Sequence, residues 1–227
     1  MSLGVTVWVG RVADDGPAPE TALLSGAELA RLRRIRRPLA ARRWAAAHTA
    51  LRRILAGRVG SDPAGLSLGR TACPQCGSPE HGPPALVGSP VPVTFSLSRS
   101  GPHWTVAVAP GFPVGVDVER ERPVDVDAIA RRALSPHERR LVASGGPALL
   151  FRCWTRKEAV AKAMGTGVAT DLRRIETGPE CLLTARTPAG WRVHSLPVPA
   201  GVHAALAVPD LPGITWRTRA WPPAPGL

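Results

Sequence analysis

Val114-Gly115-Val116-Asp117-Val118-Glu119 alternates apolar and polar residues with period two, which predicts a β-strand. Val114, Val116 and Val118 face a core. Asp117 and Glu119 leave from the other face, about 6.6 Å apart along the strand. Gly115 leaves backbone open beside them. Two carboxylates held so close repel unless something positive joins them. Hard oxygen donors without His or Cys suit Mg²⁺, which keeps waters and uses a few carboxylates plus substrate phosphates. A solvated strand edge is the competing reading, and the strand alone slightly favours it.

A second stretch shifts that balance. Trp154-Thr155-Arg156-Lys157-Glu158-Ala159-Val160-Ala161-Lys162-Ala163-Met164-Gly165-Thr166-Gly167 contains both lysines of the chain; every other basic residue, histidines aside, is arginine. Lysine is a compact, mobile point charge that can sit on a phosphate oxygen. The stretch predicts a helix, with Glu158 and Lys162 at i and i+4 on one face and Trp154 one turn earlier. An exposed Glu–Lys surface pair is the ordinary outcome of this spacing. Glu158 as a third carboxylate, with two lysines beside it, favours a metal–phosphate site.

Further out, residues 5–12 predict a strand, and 26–36 and 39–58 two arginine-rich helices. Residues 57–92 are loop-rich. Strands follow at 93–97 and 104–109, and Pro110-Gly111-Phe112-Pro113 is a tight connection, so 104–119 reads as a hairpin. Helices are expected over 125–134, 135–143 and 146–164. Ser135 with Glu138 forms a capping box, and Pro136 takes the first helical position. Strands are expected at 173–186, 191–194, 202–208 and 214–219, with a frayed tail from Pro222. The fold class is α+β.

With 227 residues the chain is long enough for a real core, as one large domain or two small ones. Tyrosine is absent, so that core leans on Val, Leu and Ala. The start lacks the basic region of a signal peptide, and no apolar run reaches membrane-spanning length. The expectation is a cytoplasmic protein with no membrane partner. A net charge of +12 asks for an anionic partner. Nucleic acid is the generic candidate, but aromatics for base stacking are few and not interleaved with the arginines. Cys73, Cys76, Cys153 and Cys181 are scattered. Cys73-Pro74-Gln75-Cys76 followed by His81 hints at a zinc knuckle. A closed zinc site needs four ligands and no second pair is suitably spaced, so a loop with free thiols is the expectation.

The two stretches together resemble the paired signature of the 4′-phosphopantetheinyl transferases, most closely the surfactin-synthetase-activating type. Weaker resemblances cover Arg42-Arg43-Trp44 through Arg52, Cys76-Gly77 through Pro84, and Phe95-Ser96-Leu97-Ser98-Arg99-Ser100-Gly101. The resemblance implies a monomeric pseudo-dimer of two similar α+β halves, residues 1–109 and 110–227. It implies a holo-carrier-protein synthase that moves the phosphopantetheine arm of coenzyme A to a serine of an acyl or peptidyl carrier protein. Mg²⁺ would be held by Asp117, Glu119 and Glu158. Glu158 and Lys162 would be catalytic. Arg43, His48, Ser98, Arg99, Lys157 and Lys162 would contact coenzyme A.

Three departures stand out. Pro83 occupies the place of the family's Gly-Lys-Pro lysine, Arg99 that of a histidine, and His48 that of a polar or basic phosphate contact. Arg99 can grip phosphate through two bonds and replace lost contacts. A basic nucleic-acid-binding module built on Cys73, Cys76 and His81 is the alternative, as is another Mg²⁺-dependent enzyme acting on a diphosphate.

Overall fold

A computed structural model describes residues 3–166, 170–177, 184–186 and 190–222. The order is β1 (Leu3–Arg11), α1 (Gly26–Arg33), α2 (Pro38–Val59), β2 (Ser67–Arg70), β3 (Pro84–Val87), β4 (Thr94–Ser100) and β5 (His103–Ala109). Then come β6 (Gly115–Arg120), α3 (Val126–Ala133), α4 (Pro136–Met164), β7 (Thr184–Arg186), β8 (Trp191–Ser195), β9 (Val202–Pro209) and β10 (Ile214–Trp221). The fold is mixed α+β. Among the described residues no helix is long and apolar enough to cross a membrane.

The strands form two four-stranded sheets, β10-β1-β5-β4 and β6-β9-β8-β7, plus the small hairpin β2-β3. All pairs are antiparallel except β1 with β10, so the last strand returns to the first sheet. Four layers result. Val5, Val7 and Ala107 of the first sheet pack directly on Val116, Val118, Leu206 and Val208 of the second. The outer face of the first sheet, with Phe95, Val106 and Val108, meets Ala47, Leu51 and Leu55 of α2. The outer face of the second, with Val193, Ala205 and Ala207, meets Ala159, Val160 and Ala163 of α4.

Local chemistry sets the ends of these elements. Ser25 and Glu28 form a capping box at the start of α1, and Ser135 and Glu138 form the expected one at α4. Gly60 and Gly165 take the left-handed conformation that ends α2 and α4. The expected separation of two helices over 135–164 appears as a break inside α4 at Gly146, whose φ is 72°, with Pro147 behind it.

Two expectations are corrected. Residues 104–119 are not a hairpin: β5 is flanked by β1 and β4, so neither of its edges is free for β6. Pro110 and Pro113, which lack N–H donors, carry the chain to the second sheet instead. The hairpin here is β4–β5, turning at Gly101-Pro102 with Gly101 at φ 58°. Residues 173–186 do not form one strand. Asp171 caps a 3₁₀ turn over Leu172–Arg174, and only Thr184–Arg186 is strand; residues 178–183 of that expectation, Cys181 among them, lie outside the described residues. The stretch over 57–92 is loop-rich as expected, with the short strands β2 and β3 inside it; Cys73 and Cys76 are free thiols, and they converge with His81. Most of the expected tail, 223–227, also lies outside the described residues.

Candidate active site

The site begins with a glycine. A Cβ on Gly115 would lie 1.9 Å from the Ala159 carbonyl oxygen and 2.4 Å from the Ala163 nitrogen. Only glycine lets the backbone of α4 rest directly on β6. That approach sets Glu158 and Lys162, one helical turn apart, against the acidic face of β6.

Asp117 is at the centre. Its Oδ1 accepts from Lys162 Nζ at 2.6 Å and from Ser98 Oγ at 2.6 Å, and Lys162 also reaches Ser98 Oγ at 2.9 Å. The Asp117 side chain is 6% exposed and that of Lys162 is 29% exposed, so the ammonium lies at the mouth of the pair. Asp117 Oδ2 is buried and accepts no hydrogen bond among the described residues. A buried carboxylate oxygen without a donor is costly and invites a cation. Burial pushes the Asp117 carboxyl up, Lys162 and Ser98 pull it back, and Glu119 pushes it up again, leaving it above the ordinary range.

Glu119, two residues on, accepts from Ser100 Oγ at 2.6 Å and from Arg122 at 2.7 Å, both through Oε2. Glu158 has no hydrogen-bond or ion-pair partner among the described residues. Burial, followed by the charge of Asp117, raises its pKa; Lys162 opposes this and Glu119 adds to it. The three carboxylates thus form one electrostatic unit, although their oxygens do not all lie within 4.8 Å of one another. An all-oxygen donor set with one orphaned buried oxygen fits Mg²⁺.

Ser98 belongs to a row that sequence reasoning missed. Ser96, Ser98 and Ser100 alternate along β4 and reach across to β6: Ser96 Oγ accepts from the Val116 N–H at 3.1 Å, and Ser100 Oγ from the Arg120 N–H at 3.0 Å. β4 and β6 share no backbone ladder. Hydroxyls therefore stitch the edge of one sheet to the edge of the other at the acidic pair. The period-two serines in Phe95-Ser96-Leu97-Ser98-Arg99-Ser100 were the available signal.

Arg99 faces the other side of β4, toward α2. It is exposed and has no ion-pair partner among the described residues. Packed surroundings and nearby Arg31 pull its pKa down, though a guanidinium stays charged. His48 is close by. Its ring stacks on Trp44 at 3.7 Å and its Nδ1 meets Glu28 at 3.3 Å. Burial lowers its pKa, Glu28 raises it and Arg99 lowers it. His48, Arg99 and Arg31 thus mark an electropositive surface where α1, α2 and β4 meet. Arg43 is bound to Asp14 at 2.7 Å.

Lys157 is a correction. The structure turns it away from the site, fully buried, onto Glu138 at 2.5 Å and onto the carbonyls of Leu172 and Ile175. One residue is about 100° of helix rotation, so Lys157 and Glu158 cannot share a face. Glu138 caps Ser135 with the same carboxylate. Lys157 is therefore a structural ion, out of reach of a ligand at Asp117. Beside Glu119, a small pocket lined by Arg122, Ile129, Leu150, Phe151 and Trp154 gives the acidic cluster an apolar neighbour.

Comparison with known proteins identifies the family. The family model of the 4′-phosphopantetheinyl transferase superfamily matches residues 113–206, which span β6, α4 and β9. The 4′-phosphopantetheinyl transferase HetI of a Nostoc species is 34% identical over 88% of this chain and 83% of its own length. A 4′-phosphopantetheinyl transferase of Bacillus subtilis is 32% identical over 50% of this chain and 47% of its own. The 4′-phosphopantetheinyl transferase psf-1 of Bacillus pumilus is 38% identical over 34% of each chain. Identity that extends along nearly the whole chain, joined to a match over the strand and helix that build the acidic cluster, means that this chain belongs to the 4′-phosphopantetheinyl transferase superfamily.

Proposed function

We propose that the chain transfers the 4′-phosphopantetheine arm of coenzyme A to a serine of an acyl or peptidyl carrier protein, releasing 3′,5′-ADP. The observation that carries this reading is the orphaned Asp117 oxygen beside Glu158 and Lys162, in a chain of this superfamily. Asp117, Glu119 and Glu158 would hold Mg²⁺, which when bound neutralises charge on a pyrophosphate.

The chain's own groups then divide the work. The serine hydroxyl of the carrier attacks the β-phosphorus, a P–O bond forms, and the pyrophosphate bridge breaks toward 3′,5′-ADP. Glu158, which no donor in the described residues occupies, takes the serine proton directly or through water. Lys162 is the mobile cation at the mouth of the site and meets charge on the leaving group. Ser98 holds Lys162 and Asp117 together. Arg99 and His48, with Arg43 farther along α2, contribute to binding coenzyme A phosphates. The apolar pocket beside Glu119 and the exposed Arg120 face the acidic carrier.

We read the two helix-backed sheets as the related halves of a monomer, residues 1–109 and 110–227, with β10 returned to the first. Within the superfamily we assign the chain to the surfactin-synthetase-activating type, acting in the cytoplasm for secondary metabolite biosynthesis. The decisive experiment is intact-mass spectrometry of an apo carrier protein incubated with this chain, coenzyme A and Mg²⁺. A mass gain of one phosphopantetheine, abolished by a chelator, is expected. An unmodified carrier under conditions where a known transferase modifies it would overturn the reading.

A further inference from the structure

The loop that closes the β2–β3 hairpin takes no part in that reaction, yet it is closely organised. Thr71 N bonds Pro83 O at 3.0 Å and Arg70 reaches Gly82 O at 2.6 Å. Inside this base, Cys73 N bonds Ser78 O and Gly77 N bonds Cys73 O, each at 2.8 Å. Gly77 adopts φ 74°, and a Cβ on Gly82 would lie 1.8 Å from the Thr71 carbonyl oxygen. Two glycines are thus required for the loop to fold back on itself.

The fold-back gathers three ligand atoms. Cys73 Sγ, Cys76 Sγ and a His81 ring nitrogen all lie within 4.8 Å of one another, and Cys76 Sγ is 3.1 Å from His81 Nε2. Zinc bonds of about 2.3 Å to sulfur and 2.0–2.1 Å to nitrogen, in tetrahedral geometry, require ligand atoms roughly 3.5–3.8 Å apart, which lies inside the 4.8 Å that bounds this group. Cys73 is buried while Cys76 and His81 are exposed.

We propose that Cys73, Cys76 and His81 bind a zinc ion, with a fourth position open to solvent and filled by water. Binding releases the thiol protons and changes no oxidation state. The two thiols are free in the structure, and a fourth protein ligand is not required of a site open on one side. The ion's structural consequence is local. A Cβ on Gly165, which ends α4, would meet Pro83 Cγ at 3.1 Å and Pro74 Cγ at 3.4 Å. The knuckle is therefore built against the end of the helix that carries Glu158 and Lys162, and the ion would hold its two prolines there.

The test uses the full chain, reduced and freed of metal, titrated with Co²⁺ as a coloured stand-in for zinc. Thiolate-to-cobalt charge-transfer bands and intense tetrahedral d–d bands should saturate at one equivalent and vanish on adding Zn²⁺. Cys76→Ser and His81→Ala, both at exposed positions, should each weaken binding at least about tenfold, the scale on which even outer-shell changes act. Asp117→Asn should leave the thiolate bands intact, which separates this site from the carboxylates. Absence of thiolate bands, bands unchanged in both ligand variants, or a Cys73–Cys76 disulfide that persists in reductant would overturn the proposal. No coenzyme A or carrier is needed, so its failure and that of the transferase reading are distinct events.

Discussion

The two faces of α4 carry the same chemistry to opposite ends. On the inner face Lys157 meets Glu138 with both side chains fully buried, and each is further saturated by carbonyls, N–H groups or hydroxyls. On the outer face Lys162, partly exposed, meets a buried Asp117, and the second Asp117 oxygen is buried without a donor among the described residues. A satisfied buried pair fixes the fold. An unsatisfied one stores a demand that a ligand can meet. The charge of a residue says little about its role; the state of its remaining valences says much more.

The largest effect that sharpens this contrast is at Asp117. Asp117→Asn keeps the shape and removes the charge, so transfer should fall on the order of 10⁴-fold, roughly 5.5 kcal/mol. Its thermal midpoint should hold or rise, because burial disfavours the carboxylate. Near-normal activity of that variant at ordinary Mg²⁺ would erase the distinction between the faces.

Next is the inner face. Lys157→Met strands the Glu138 carboxylate and should cost about 3–5 kcal/mol in denaturant unfolding, as breaking a buried pair does. Adding Glu138→Gln should restore part of the loss. Lys162→Met, by contrast, should lose activity with little change in stability. Equal stability losses for the two lysines would break the comparison.

Glu28 extends the satisfied class to the first sheet. Burial alone would raise it, but bonds from His48, Arg52 and Ser25 hold it down at about 2, against 4.5 for the free side chain. Its contribution is thus complete above pH 4.5 and disappears as pH falls toward 2. Glu28→Gln should be less stable at neutral pH by up to roughly 3 kcal/mol, with the two unfolding curves converging near pH 2. A constant gap from pH 7 to pH 2 would assign the cost to packing instead.

Arg99 extends the unsatisfied class. Arg99→Gln should weaken coenzyme A binding by about 1.5–3 kcal/mol, the worth of a charged hydrogen bond, and less for dephospho-coenzyme A if the 3′-phosphate is what it holds. Unchanged calorimetric affinity for both ligands would remove Arg99 from the site.

The acidic strand, the capping box at Ser135 and the shared face of Glu158 and Lys162 were all legible in the sequence, because each is a short-range regularity. The placement of Lys157 was not. A lysine beside the glutamate of a recognisable motif looks functional until tertiary packing brings Glu138 beneath it from some twenty residues upstream. The false 104–119 hairpin has a similar origin: turn chemistry at Pro110-Gly111 was read correctly as a connection, but strand competition for the edges of β5 is a property of the whole sheet. The serine row was visible as a pattern, and its meaning required knowing that two sheet edges meet there.

The return of β10 to pair with β1 has a consequence for how the protein is made. Leu3 is made long before Trp221, with most of the described residues between them, yet their strands are neighbours. Until synthesis reaches Trp221 the outer edge of β1 is an open template, with unpaired N–H and C=O groups that other nascent chains can capture. The first sheet cannot be finished in the order in which it is translated. A chain halted within β10 would thus hold every acidic and basic residue of the candidate site on an unclosed scaffold.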